Sequence, residues 1–256
     1  MPKTSWIFVL CFPNGGSTAF AQMLLTAKSA VSLTARAEGQ WLIPDMCAAK
    51  SRWDPSHPLD YEHVRDVWKS KAIEQSAGRD HITVIEKSPP NMVRYKAILN
   101  AVAPEPTHLV ALTRDPYAVI ASWAKKSPER IAEEWGWPEA APRTTTEFYE
   151  ALTEIWVRRA RLLAEALASC VHHTRYEDFG DSPHAAIAAL AEKIPTLPSV
   201  NPSSSLKIKE YPPSPPVNMN EQQIAGLSSK ALDVISRRLE SHRDVLHRLG
   251  YKIRQA

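Results

Sequence analysis

WIFVLCFPNGGSTAF, residues 6–20, decides the fold. Seven apolar residues, Trp6 to Phe12, run without a polar break, as in a parallel strand covered on both faces. The chain then breaks into Gly15-Gly16-Ser17-Thr18 and resumes with Phe20, Met23, Leu24 and Ala27 at helical spacing over residues 17–30. A glycine turn between strand and helix lets backbone amides converge at the positive end of the helix, making an anion site without side-chain charge. The same residues also suit a tight strand-to-helix turn with Ser17 as its N-cap. The stretch contains no lysine or arginine, and Asn14 stands where a phosphate loop would carry a cation. It does not match G-x-x-x-x-G-K-[ST], which argues against ATP and Mg²⁺ chemistry.

Outward from this segment, strand and helix patterns alternate. Strands are expected at 31–37, 81–87, 107–113 and 170–176. Helices are expected at 61–78, 91–102, from Pro116 to about Lys126, at 146–169 and at 182–193. Residues 195–216 are rich in Pro and Ser and read as a loop, because a further helix at about 227–249 can dock on the same body. The alternation predicts an α/β fold: one domain over 1–256, with a central parallel sheet flanked by helices.

Bulk properties narrow the function classes. The 256 residues are 44% hydrophobic and 23% charged, with a net charge of +3, so nothing global argues for nucleic acid or a membrane surface. Cys11, Cys47 and Cys170 are odd in number and far apart, as expected for reduced thiols in a cytoplasmic protein. The apolar run at 6–12 is short for a signal peptide and lacks a cleavage pattern, and no stretch nears the roughly 18 apolar residues of a membrane helix. His172 and His173 face opposite ways on a strand, and no histidine spacing suggests a metal site.

Two further strand ends carry charge. In LTRDPYAVIASW (112–123), Arg114 ends a strand and Ser122 lies on the following helix. An arginine fork with a hydroxyl suits a terminal phosphate; alternatively Arg114 pairs with Asp115 and Ser122 only packs. In VIEKSPPNMVR (84–94), Glu86 and Lys87 are adjacent and point to opposite faces of the sheet. Carboxyl ends of parallel strands are where open α/β sheets bind ligands.

Taken together, these stretches resemble the sulfotransferases that use 3'-phosphoadenosine 5'-phosphosulfate (PAPS). FPNGGSTAFAQMLL is similar to their 5'-phosphosulfate loop, and TRDPYAVIASW to their 3'-phosphate motif. EKSPP and TRYEDF (174–179) look like further segments of glycan-type members, and LESHRDVLHRLGY is like their terminal helix. The matches occur in order from about residue 5 to 251. The resemblance implies a P-loop-like sulfotransferase fold and a metal-free transfer that leaves 3'-phosphoadenosine 5'-phosphate (PAP). It also implies a donor site formed by Pro13, Asn14, Gly15, Gly16, Ser17, Thr18 and Ala19, with Arg114 and Ser122 on the 3'-phosphate and Tyr176 near the adenine. A C-terminal Arg-Lys-Gly contact has no clear equivalent; Lys207 or Lys209 is the candidate replacement.

The resemblance also frames the chemistry. In the family the residue at Asn14 is usually a lysine or arginine that steadies the leaving oxygen. Lys87 is the candidate substitute and Arg94 the fallback. The histidine base of cytosolic members is absent, because Pro89 stands there. Glu38, after the second strand, is the first choice of base; Glu86 is the second, and His57 and His63 remain open. Trp41, Trp53, Trp135 and Trp137 lie in irregular segments where substrate contacts concentrate, and they suit a small-molecule or carbohydrate acceptor or simply pack. Two competitors remain: a PAP-binding protein without turnover, motivated by Asn14, and a small-molecule kinase.

Overall fold

The computed structural model describes residues 1–48, 51–129, 131, 142, 144–197, 199–208 and 212–254. The apolar run becomes β1, Lys3–Cys11. Its neighbours are β3, His81–Glu86, and β4, Thr107–Thr113, with β2, Ala30–Ser32, and β5, His172–Arg175, at the edges. All five strands are parallel, in the order β2-β3-β1-β4-β5. Because β1 is flanked by strands that come later in the chain on both sides, a crevice opens at its carboxyl end. Phe8 pairs with Glu86 and Cys11 with Leu112, so the loops after β1, β3 and β4 leave from one edge of the sheet.

Alternation along β1 divides the core. Trp6, Phe8, Leu10 and Phe12 face one layer, where Phe12 stacks on Trp156 with ring centroids 5.5 Å apart. Ile7, Val9 and Cys11 face the other, which holds Phe20, Phe179 and Leu190. The helices are α1 (Ser17–Leu24), α2 (Pro44–Cys47), α3 (Tyr61–Glu74), α4 (Tyr95–Val102), α5 (Pro116–Trp123) and α6 (Thr145–Ala166). After β5 come α7 (Tyr176–Asp181), α8 (Pro183–Lys193), α9 (Asn220–Ile224), α10 (Ser229–Glu240) and α11 (Arg243–Arg248). Helices α1, α7 and α8 cover the second layer; α3 to α6, with α10 and α11, cover the first. Among the described residues, no helix is long and apolar enough to cross a membrane.

Several boundaries differ from the sequence pattern. The strand expected at 31–37 ends at Ser32, because Ala37 takes a left-handed backbone (φ 55°) and its amide turns back to Thr34 O at 2.9 Å. Helix α1 stops at Leu24 rather than Ala30. An extra helix, α7, forms where the sequence showed only the end of a strand. The single helix expected at 227–249 is two, interrupted at Ser241 and His242. The loop at 195–216 is held to the body by buried Leu197 and Leu206, and Leu206 bridges Ser214.

Candidate active site

The turn after β1 is tied down at three successive carbonyls. Gly15 N donates to Phe12 O (3.0 Å), Trp123 Nε1 to Pro13 O (2.9 Å) and Arg114 Nη1 to Asn14 O (2.8 Å). Asn14 has φ 56° and Gly16 φ 84°. Asparagine is among the few residues that tolerate the left-handed region, so Asn14 suits the bend of this loop. Gly16 is needed twice over: a Cβ there would also lie 2.2 Å from Tyr176 Cδ2. The first amides of α1 have no intrahelical acceptor, and no side chain caps the helix. An uncapped helix start on a rigid glycine loop fits an anion.

Lys87 reaches this loop. Its side chain is 2% exposed; its ammonium donates to Thr18 Oγ1 (3.2 Å) and pairs with the carboxylate of Glu38. The residue proposed as substitute cation and the residue proposed as base therefore touch each other. Burial pushes the Glu38 carboxyl up, but the charge and hydrogen bond of Lys87, with donors Trp41 and Gln40, bring it net below the ordinary carboxylate value. Trp41 Nε1 and Gln40 Nε2 reach Glu38 Oε2 at 2.8 and 3.0 Å.

Glu86 does different work. It is fully buried and accepts from Gly39 N (2.9 Å), Ser88 N (3.1 Å), Ser88 Oγ and Asn91 Nδ2. Burial raises its pKa to about 7, against these donors, which favour the ionised form. It thereby pins the turn that carries Glu38 to the turn that follows Lys87. Gly39 lies against Leu33 and Trp68, where a Cβ would meet atoms at 2.6 and 2.9 Å.

Arg114, 3% exposed, sits where β4 ends. Besides Asn14 O, it reaches Asn220 Oδ1 (2.9 Å) and Gln223 Oε1 (3.1 Å), both on α9, and stacks on the Tyr176 ring at 4.1 Å. Three of the five guanidinium N–H groups are thus engaged and two remain. Asp115 pairs with Arg254, not Arg114, and caps α5 through Tyr117 N and Ala118 N. The Tyr176 hydroxyl donates to Val217 O at 2.8 Å, making its ring a wall over Gly16. Ser122 is half-buried near the end of α5, and Ala19 is buried in α1. His57 is half-buried and His63 exposed at the start of α3. Lys207 is exposed; Lys209, Trp135 and Trp137 lie outside the described residues.

Sequence reasoning missed several partners. Gln40, Asn220 and Gln223 carry no motif, and Trp123 was quoted only as the end of one; their roles arise from contacts across the fold. Arg94, the fallback cation, is 5% exposed, and its Nη2 is turned to Ser51 O and Arg52 O. Arg159 did leave a signal: it lies four residues after Ile155 and four before Leu163, on the apolar face of α6. There it stacks between Trp53 (3.8 Å) and Trp123 (5.3 Å).

A family model described as the sulfotransferase family matches residues 6–195. The chain belongs to the sulfotransferase family. Among solved structures, it is similar to a sulfotransferase domain from the curacin biosynthetic pathway (17% identity, TM-score 0.51), covering 99% of this chain and 100% of that one. It is also similar to sulfotransferase STF9 from Mycobacterium avium (12%, TM-score 0.55), over 100% of this chain and 79% of that one. A third is a sulfotransferase from Alicyclobacillus acidocaldarius (10%, TM-score 0.51), over 97% and 94%. At these identities the likeness concerns the fold. No curated protein sequence matches the chain.

Proposed function

We propose that this protein moves the sulfuryl group of PAPS to a hydroxyl or amine of a small-molecule or carbohydrate acceptor by in-line displacement. The observation that carries the reading is the buried Lys87 ammonium, placed between the Thr18 hydroxyl at the loop and the Glu38 carboxylate. It supplies, from another strand, the charge that Asn14 lacks. The donor fits the residues present: uncapped amides of Gly16, Ser17 and Thr18 suit the phosphosulfate, and Arg114, with two free N–H groups and Ser122 on the next helix, suits the 3'-phosphate. When bound, PAPS supplies an activated sulfuryl group and a phosphate leaving group.

The chain's own contribution is positional and electrostatic. Lys87 holds positive charge at the start of α1. Glu38, ionised at neutral pH, accepts the acceptor's proton at a carboxylate oxygen, and Lys87 at Oε1 and Trp41 at Oε2 fix the carboxylate's orientation. Glu86 keeps the two turns in register. A weak base suffices, because an attacking hydroxyl becomes more acidic as its bond to sulfur forms.

Calorimetry with PAP, and separately with ATP and Mg²⁺, tests the donor. Binding of PAP and neglect of ATP is the expected result; the reverse preference would sink the proposal in favour of a kinase. Turnover of PAPS against an acceptor library then separates an enzyme from a protein that binds PAP without turnover.

A further inference from the structure

On the side of Glu38 away from Lys87, a hydrogen-bonded path leads into a group of arginines. Gln40, 1% exposed, donates to Glu38 and accepts from Arg52 Nη2 at 3.2 Å. Arg94 Nη2 donates to Arg52 O (2.6 Å) and Ser51 O (3.4 Å). Three guanidinium groups, Arg52, Arg94 and Arg159, thus come from separate parts of the chain around residues 51–53. Their charges are felt mutually: Arg52 opposes protonation of both Arg94 and Arg159, on top of the effect of their burial.

Two of these arginines, Arg52 and Arg94, have no paired carboxylate among the described residues. Arg52 Nε and Arg94 Nε and Nη1 are buried without a hydrogen-bond partner. Asp54, which Arg94 feels at a distance, is turned to Ser56 N and Oγ (2.8 and 2.6 Å). Native structures rarely bury N–H groups unpaired, and a guanidinium keeps its proton, so such a group calls for an oxyanion. The site has an outlet: Arg52 is half-buried and lies 5.3 Å over the ring of Trp41, itself 53% exposed.

We propose that Arg52 and Arg94 form an oxyanion subsite on the acceptor side of Glu38, holding a carboxylate, phosphate or sulfate group of the acceptor. The acceptor is then a hydroxyl or amine compound that already carries negative charge, anchored one glutamine away from the base. Arg forks bind such groups through paired N–H donors. The inference rests on the reading of Glu38 as the base.

The test is calorimetric and needs no turnover. With the chain saturated in PAP, so that the donor loop is filled, benzoate, phenyl phosphate, phenyl sulfate and neutral benzamide are titrated in turn. At least one anion should bind about tenfold or more tighter than benzamide, and Arg52→Met or Arg94→Met should abolish that preference, with Arg94→Lys restoring part of it. The ranking of the three anions identifies the oxyanion. Arg52→Met, at a half-buried position, guards against a result caused by misfolding of the Arg94 variant. Equal affinity for benzamide and all three anions, or an anion preference that survives both methionine variants, overturns the subsite. Failure of PAP to bind in the first step counts against the proposed donor alone; the anion titrations are then read on the PAP-free chain.

Discussion

The glycine loop after β1 and the Arg52–Arg94 pair are both polar and at least half-buried, yet they are finished differently. At the loop, the carbonyls of Phe12, Pro13 and Asn14 all have protein donors, and Arg114 is braced by Asn220, Gln223 and Tyr176. Around Arg52 and Arg94, three guanidinium nitrogens have no protein partner. A polar group satisfied internally fixes shape, whereas one left unsatisfied in the same fold marks where a ligand completes the structure. Lys87 stands at the boundary, with partners on both sides.

The largest expected effect breaks that boundary. Lys87→Ala removes the only charge that reaches Thr18 among the described residues and leaves Glu38 without its cation. Sulfuryl transfer should fall about 10²- to 10³-fold, measured by single-turnover kinetics with PAPS. An unchanged rate would end the argument that Lys87 replaces the missing loop cation.

Glu86 sharpens the contrast through pH. Its carboxyl is raised from 4.5 to about 7 in the folded chain, so the folded state holds this proton after the unfolded chain has lost it. The stabilising contribution is complete below pH 4.5 and is lost as pH rises through 7, up to about 3 kcal/mol. Urea unfolding of wild type and Glu86→Gln from pH 4 to 8 should show that loss in wild type only; parallel curves would remove Glu86 as its source. Glu38 has the opposite sign: its depressed value places its stabilising contribution above pH 4.5, to be lost on acidification.

Gly16→Ala should cost about 2 kcal/mol of stability from the left-handed backbone and the displaced Tyr176 ring, and should weaken PAP binding with it. Normal stability and PAP affinity would show that the ring is not a fixed wall. The smallest effect belongs to Trp123→Phe, which removes one hydrogen bond to Pro13 O and should cost about 1 kcal/mol by denaturant midpoint. No change would mean that Arg114 alone braces the loop.

The sheet was legible because Trp6–Cys11 of β1 is apolar without a break, and the loop because glycine and helical periodicity follow it directly. Glu38 and Lys87 were each nominated from their strand ends, but their contact was not readable, since 49 residues separate them. The overlong second strand came from an alternating pattern with no proline or glycine at the turn that ends it. The helix expected from Asn91 begins at Tyr95, because Pro89–Val93 forms a 3₁₀ turn before α4, and its side chains follow a different phase from those of an α-helix. Arg52 had no periodic context at all. Its meaning depends on Gln40 and Arg94, which reach it only in the folded chain.

The braces on Arg114 have a consequence for how such a protein changes over time. The family match ends at residue 195, while Asn220 and Gln223 lie beyond it. Arg114, inside the matched segment, thus takes its orientation from residues outside it. A substitution at Asn220 or Gln223 would therefore loosen Arg114 without touching the glycine loop. A chimera that borrows residues 6–195 must borrow α9 as well to keep those braces.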